Sequence, residues 1–335
     1  MMKINKKKIF ILLGVIVFIL IYYYCIQVIV ANLQELNRED GASTKSYVAV
    51  ITKSTTSDFW KEVESGVNAA AAEYNIEITF DGPENEEDYE TQNTMIAEAV
   101  EAGAEIIILS AVDFNANAGA VDAAIAAGVQ VIGIDSVVNS DGVIYNIGTD
   151  NYLAGYMAGE AALSAQEEVL NIGIVNFDIN SANGQEREAG FRDAVVADTR
   201  VEFMETINVL STTEDAKNGT IELLETYPEI NVVVTFNEWT SLGVGYAIEE
   251  LRLGRDTMVV AFDNNVVSVG MLETGNVDAL IVQNPFAMGY LGVECAYNLI
   301  NGLTIEEERV DTETTLITRD NMYDEVSQRV LFSFD

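Results

Sequence analysis

Residues 47–71 read YVAVITKSTTSDFWKEVESGVNAAA. The opening run, YVAVIT, is short, apolar and rich in β-branched residues, the pattern of a strand buried on both faces of a parallel sheet. A polar turn follows, and then residues 59–74 have the length and composition of a helix. The unit repeats on moving outward. Runs at 76–80, 105–109, 129–134, 170–175, 230–236, 258–262 and 278–282 have the same strand character, and segments at 88–101, 115–127, 151–165 and 239–251 have helical length. Alternation sustained over nearly 290 residues predicts an α/β fold with parallel sheets and right-handed crossovers. Two sheets are expected rather than one, because open twisted sheets seldom exceed about ten strands.

Composition narrows the function. The chain has 335 residues, enough for two domains, and 17 Lys and Arg against 54 Asp and Glu give a formal charge of −37. Such a surface repels phosphate backbones, which excludes sequence-independent nucleic-acid binding. There is no histidine. Its absence removes Ser-His-Asp and Cys-His chemistry and His-ligated zinc. Cys25 and Cys295 are the only cysteines, and Cys25 falls inside an apolar run, so neither a disulfide nor a cysteine metal site is expected.

That run is at the N-terminus. Lys3, Lys6, Lys7 and Lys8 precede residues 9–31, where Gln27 is the one strongly polar interruption. The span is long enough to cross a bilayer as a helix. It is too long for the apolar region of a signal peptide, and Tyr22, Tyr23 and Tyr24 before Cys25 are unlike a lipoprotein cleavage box. The reading is an uncleaved signal anchor over residues 1–32, with a cleaved signal of atypical site as the alternative. Residues 33–45 read as a polar tether, and the rest, with 11 basic and 51 acidic side chains, faces the extracytoplasmic space.

Polar residues and one aromatic pair gather where the apolar strands end: Lys53, Ser57, and the rings of Phe59 and Trp60 after the first, Asp113 beyond the third, Asp135 at the end of the fourth, and Asn237, Asp263 and Gln283 after later ones. In open α/β sheets ligands bind outside the carboxyl ends of strands. Any single Asp, Asn or Ser there is equally well a helix cap. Lys53, Gln283 and the pair Phe59 and Trp60 are not capping residues, and they favour a cleft.

These stretches carry a resemblance. YVAVITKSTTSDFWKEVESGVNAAA, EIIILSAVDFNA, VQVIGIDS, YNIGTDNYLAGYMAG, GQEREAGFRDAV, VVVTFNEWTSLGVGYAI, MVVAFDNN and DALIVQNPFAMGYLGVE resemble, in order and spacing, the periplasmic sugar-binding proteins of the ribose-binding type, which share their two-lobed fold with the sensor domains of lac-type repressors. About four-fifths of the chain is covered. The resemblance implies two similar lobes, each a parallel sheet flanked by helices, joined by a three-strand hinge: lobe 1 at 46–149 with 284–311, lobe 2 at 150–283 with 312–335.

It also implies a site. Aromatic rings cover the C–H faces of a sugar, while Asp, Asn, Gln, Lys and Arg reach its hydroxyls. Phe59 and Trp60 fall on the family's stacking positions, Asp135 on its hydroxyl-binding aspartate, and Asn237, Asp263 and Gln283 on the second-lobe and hinge ligands. Phe59 or Trp60 could instead be core at the start of a helix. The sequence departs from the ribose pattern at Ser136 and at Gln185, which stands where an arginine is expected, with Arg187 two residues on. Lys53 stands for a small hydroxyl residue and Ser57 for an amide or acid, and Trp239 is a candidate for the second-lobe ring, for which the aligned position lies near Ser211. Lys53 either pairs with Asp135 or Asp113 across the cleft or is a solvated surface lysine.

No enzyme signature is present: no Walker motif, no dinucleotide fingerprint and no nucleophile elbow. A glycosidase-like carboxylate pair is the enzymatic alternative in so acidic a chain. Residues 262–265, FDNN, lack calcium-loop spacing, and neither cofactor nor metal is expected. The expectation is a membrane-tethered receptor, monomeric in its ectodomain, for a monosaccharide or another small polar solute. Its closed state would be read by an ATP-binding-cassette permease or by a sensor histidine kinase. A lac-type repressor is excluded by the apolar span where a DNA-binding headpiece would stand.

Overall fold

The computed structural model describes residues 46–254, 256–303 and 309–332. The transmembrane anchor and tether expected over residues 1–45 lie outside them. Among the described residues no helix is long and apolar enough to cross a membrane.

The strands form two six-stranded sheets. The first takes β1 (Tyr47–Ile51), β2 (Glu77–Asp81), β3 (Ile106–Leu109), β4 (Gln130–Ile134), β5 (Tyr145–Gly148) and β11 (Arg309–Asp311), in the order β11-β5-β4-β3-β1-β2. The second takes β6 (Leu170–Asn176), β7 (Val201–Asn208), β8 (Val232–Thr235), β9 (Met258–Phe262), β10 (Ala279–Val282) and β12 (Thr315–Thr318), in the order β12-β10-β9-β8-β6-β7. The orders match position for position. The exception to parallel pairing is β12, which runs antiparallel to β10, whereas β11 is parallel to β5.

Ten helices are described: α1 (Asp58–Tyr74), α2 (Tyr89–Glu101), α3 (Ala118–Ala126), α4 (Asn151–Ala162), α5 (Ala182–Val195), α6 (Thr213–Thr226), α7 (Glu238–Leu251), α8 (Val266–Thr274), α9 (Pro285–Ile300) and α10 (Glu325–Leu331). Helix α9 follows β10 of the second sheet yet packs on α1, β4 and β5 of the first, and α4 follows β5 yet packs on α5 and β9. The chain therefore passes between sheets after β5, after β10, and between β11 and β12.

Each sheet separates two apolar clusters. In the first lobe Val48, Val50, Ile106, Ile108 and Ile132 face α1 and α9, while Ala49, Ile51, Ile107, Leu109 and Val131 face α2 and α3. Central strands are buried on both faces, which is why they read as unbroken apolar runs. The run at 76–80 differs: β2 is an edge strand whose side chains alternate between exposed and half-buried.

Backbone proximity sets the position of α5. A Cβ at Gly155 on α4 would lie 1.9 Å from the Arg187 carbonyl oxygen, and one at Gly190 on α5 would lie 1.9 Å from that of Tyr152. Only glycine permits this approach. It seats the N-terminal half of α5 against α4 and directs Arg187 towards the hinge.

Candidate ligand-binding site

The carboxyl ends of the strands in both lobes converge on one tight cavity, with about 30 Å³ of free space between its side chains. Lys53, Ser57, Phe59, Trp60 and Asp135 line it from the first lobe, and Arg187, Asn237, Trp239, Asp263 and Gln283 from the second lobe and the hinge.

Asp135 and Asp263 occupy equivalent places. Each directly follows its strand, β4 or β9, and each donates its backbone N–H at 2.9 Å to the next strand, to the carbonyls of Ile147 and Ile281. Both sit in the left-handed region, at φ 56° and φ 65°. That conformation costs about 1–2 kcal/mol for a residue with a Cβ, and Asp is among the residues that adopt it most readily. The strain turns each carboxylate off the strand and into the cavity. Asp263 is not a helix cap: Asn265 caps α8.

Arg187 is 1% exposed. It donates to Asn151 Oδ1 at 2.8 Å, to the Phe236 carbonyl at 2.6 Å and to Gln283 Oε1 at 2.6 Å, and its guanidinium carbon lies 4.9 Å from the centre of the Phe262 ring. Asp135 is 4.0 Å away. Gln283 also accepts from Thr149 at 2.8 Å and donates to Asp263 Oδ1 at 2.6 Å, so one side chain links two of the crossings to the site. Burial pushes the Asp263 carboxyl up to about 7 against the pull of Arg187. Burial likewise raises Glu86, against Lys53.

Lys53 is neither solvated nor paired directly with a carboxylate. It is buried, donates to Ser181 Oγ at 2.6 Å and Asn183 Oδ1 at 3.2 Å, and lies 5.9 Å from the centre of the Phe177 ring. Burial lowers its pKa, while Asp135 and Glu86 favour its charged form. Asn183 in turn donates to Asp135 at 3.3 Å. Ser57 caps α1 by accepting from the Trp60 N–H, and Asn237 caps α7 through Oδ1 while its amide donates to Ser211. Capping and lining the cavity are thus the same placement. The Phe59 and Trp60 rings meet edge to face, 4.9 Å apart, and belong both to the core and to the cavity wall.

Two expected residues do not line the cavity. The Asp113 carboxylate accepts from the N–H groups of Asn115 and Ala116, so it closes its own loop. Gln185 is exposed and donates to the Ile179 carbonyl, and Arg187 on the same helix stands in the cavity instead.

Four lining residues escaped the sequence reading: Glu86, Phe177, Asn183 and Glu238. Glu86 accepts from Trp60 Nε1 at 2.8 Å and, with its other oxygen, from Ser211 Oγ at 2.7 Å. Glu238 accepts from the Phe59 N–H at 3.1 Å and from Asn265 at 2.8 Å. Glu86, Phe177 and Glu238 lie just past β2, β6 and β8, where the strand-end rule pointed.

Two similar α/β lobes, bonded across a small cavity of aromatic and paired polar side chains, define a two-lobed solute-binding clamp. Residues 48–304 match the family described as a periplasmic binding protein domain, and the chain belongs to that family, with its likeness to the ribose-binding type. A D-ribose/D-allose-binding protein of Pseudomonas aeruginosa is 25% identical over 289 residues, covering 82% of this chain and 89% of that one. A carbohydrate transporter solute-binding protein of Agrobacterium radiobacter, solved with D-arabinose, is 27% identical with a TM-score of 0.83, covering 87% of this chain and 100% of that one. A sugar transporter structure from Clostridium phytofermentans is 33% identical with a TM-score of 0.76, covering 82% of this chain and 100% of that one.

Proposed function

We propose that this chain is an extracytoplasmic receptor for a monosaccharide or close derivative, bound in the cavity and enclosed by closure of the two lobes. The observation that carries the reading is the cavity itself: rings at Phe59, Trp60 and Trp239 to cover C–H faces, with Asp135, Arg187, Asn237, Asp263 and Gln283 to meet hydroxyls. Relatives named for binding ribose, and a neighbour solved with arabinose, support it. They are binding proteins, which favours a receptor over a glycosidase-like enzyme. In a thermal-shift screen of pentoses, hexoses and inositols, one class should raise the melting temperature by the increment expected of native-state binding. Shifts confined to amino acids or peptides would refute the solute class.

The apolar span at 9–31 supports retention as a single-pass anchor, with lysines inside. Intact-mass analysis of protein from the native membrane should find the N-terminus in place, and loss of roughly the first 30 residues would refute this. The partner of the closed state is a permease or a sensor kinase. Anchoring favours the second, because lipid-anchored or free receptors are the usual transport arrangement.

A further inference from the structure

The cavity is unbalanced in charge. Six ionisable side chains line it: Lys53 and Arg187 against Glu86, Asp135, Glu238 and Asp263. Both cations already donate within the protein. Lys53 is engaged with Ser181 and Asn183, and Arg187 with Asn151, Phe236 and Gln283. Asp135, Glu238 and Asp263 are buried, at 7% exposure or less, and Glu86 is half-buried. Asp263 accepts one hydrogen bond, from Gln283 to Oδ1, and feels the negative charges of Glu238 and Asp135.

With all six ionised the cavity holds two more negative than positive charges, an excess that is costly unless a proton or a cation offsets it. A metal ion is a poor fit, because among the described residues no acidic group converges as a metal site would. A uronic acid or sugar phosphate would add to the repulsion. A neutral sugar satisfies hydrogen bonds and leaves the offset to protons held on the raised carboxyls. An ammonium group on a ring the size of a monosaccharide satisfies both, and the aromatic walls at Phe59, Trp60 and Trp239 favour a cation as well as C–H faces.

Building on the monosaccharide reading above, we infer that the ligand is an amino sugar whose protonated amine is held by Asp263 with Glu238. Near neutral pH the Asp263 carboxyl, pushed up to about 7 by burial, carries a proton in part of the population. The arriving ammonium displaces it: the carboxyl O–H bond breaks, the proton leaves to buffer, and the carboxylate oxygen accepts an N–H of the ligand. Binding of an amino sugar therefore releases protons, and binding of its neutral parent does not.

The test is titration calorimetry of the full-length chain with matched pairs, 2-amino-2-deoxyglucose against glucose and the galactose and mannose equivalents, in two buffers of different ionisation enthalpy, with D-ribose and glucuronate alongside. At least one amino sugar is expected to bind about tenfold or more tighter than its parent, with a heat that changes with buffer. Asp263→Asn should remove most of that advantage, and Glu238→Gln makes the same comparison if the first variant binds no sugar. Neutral sugars binding as tightly as the amines, or an amine advantage unchanged in both variants, would overturn the inference and leave the monosaccharide reading standing. No response to any sugar would overturn both.

Discussion

Replacing Asp263 by Asn should make the protein more stable above neutrality while weakening ligand binding. Burial raises this carboxyl from 3.8 to about 7, and at 1.36 kcal/mol per pH unit that corresponds to about 4 kcal/mol disfavouring its ionised form. The folded-state value lies above the unfolded one, so the native state holds the proton more tightly. The contribution to stability is complete below about pH 4, and it is lost as pH rises through about 7. Above that, the folded protein carries a buried carboxylate that the unfolded chain would keep in water. An amide of the same shape has no charge to bury and can still accept from Gln283 Nε2, which donates at 2.6 Å. It also brings an unpaired NH₂ beside Arg187, which costs about 1–2 kcal/mol.

The net expectation is a gain of about 1–3 kcal/mol near pH 8 and no gain near pH 4. Urea unfolding of ligand-free full-length protein across that range measures it. Wild-type stability should fall between pH 4 and pH 8 more than that of Asp263→Asn. Affinity for the ligand should drop by about 2–3 kcal/mol as a charged hydrogen bond is lost. If the variant is instead the less stable protein near pH 8, then attraction to Arg187 outweighs burial and the reasoning is wrong.

Lys53→Met removes bonds to Ser181 and Asn183 of the other lobe but no bond within its own; ligand affinity should fall about tenfold, with a urea midpoint little changed, since each lobe has its own core. Gly155→Ala drives a Cβ to 1.9 Å from the Arg187 carbonyl and should cost about 2–3 kcal/mol or more of stability in the same melts. Gln185→Ala, at an exposed position facing away from the cavity, should leave affinity and stability within about 0.5 kcal/mol by calorimetry and denaturation. Cys295 is buried with its thiol pushed up to about 12; iodoacetamide labelling followed by mass should be slow on the folded protein and fast in denaturant.

The central strands were legible because burial on both faces leaves no room for polar residues: β1, β3, β4, β6, β8, β9 and β10 each lie in an apolar run. Of the edges β2 was, as the run at 76–80, and the others were not. β7, VEFMETIN, is half-buried along its length, and β11, β12 and the inner strand β5 have three or four residues, too few for any period to show. The site divides in the same way. Asp135 and Asp263 follow their strands directly and are turned inward by a left-handed backbone, whereas Asp113 lies four residues beyond β3 and folds back on its own loop. Gln185 and Arg187 show what linear reading misses on a helix. Two positions apart is about 200° around the axis, so one faces solvent when the other faces the cavity. Glu86 and Glu238 follow strand ends but were not picked out, because one more acid among 54 is unremarked.

Under the proposed closure, the distribution of bond types lets the lobes part without unfolding. Within each lobe the contacts are apolar and extensive, and exposing them costs the hydrophobic energy of the core. Between lobes the contacts found around the cavity are polar: the Arg187–Asp135 pair, and hydrogen bonds from Lys53 to Ser181 and Asn183, Asn183 to Asp135, Ser211 to Glu86, the Phe59 N–H to Glu238 and the Phe114 N–H to the Asn180 carbonyl. Each exchanges with water at a net cost of about 0.5–1.5 kcal/mol. Their sum is of the same order as the roughly 5.5 kcal/mol needed to move a two-state equilibrium from 1:99 to 99:1. A ligand that adds a few charge-assisted bonds to both lobes can therefore decide the state. Removing one interlobe bond should shift the apparent affinity by the energy of that bond, while leaving the cores untouched.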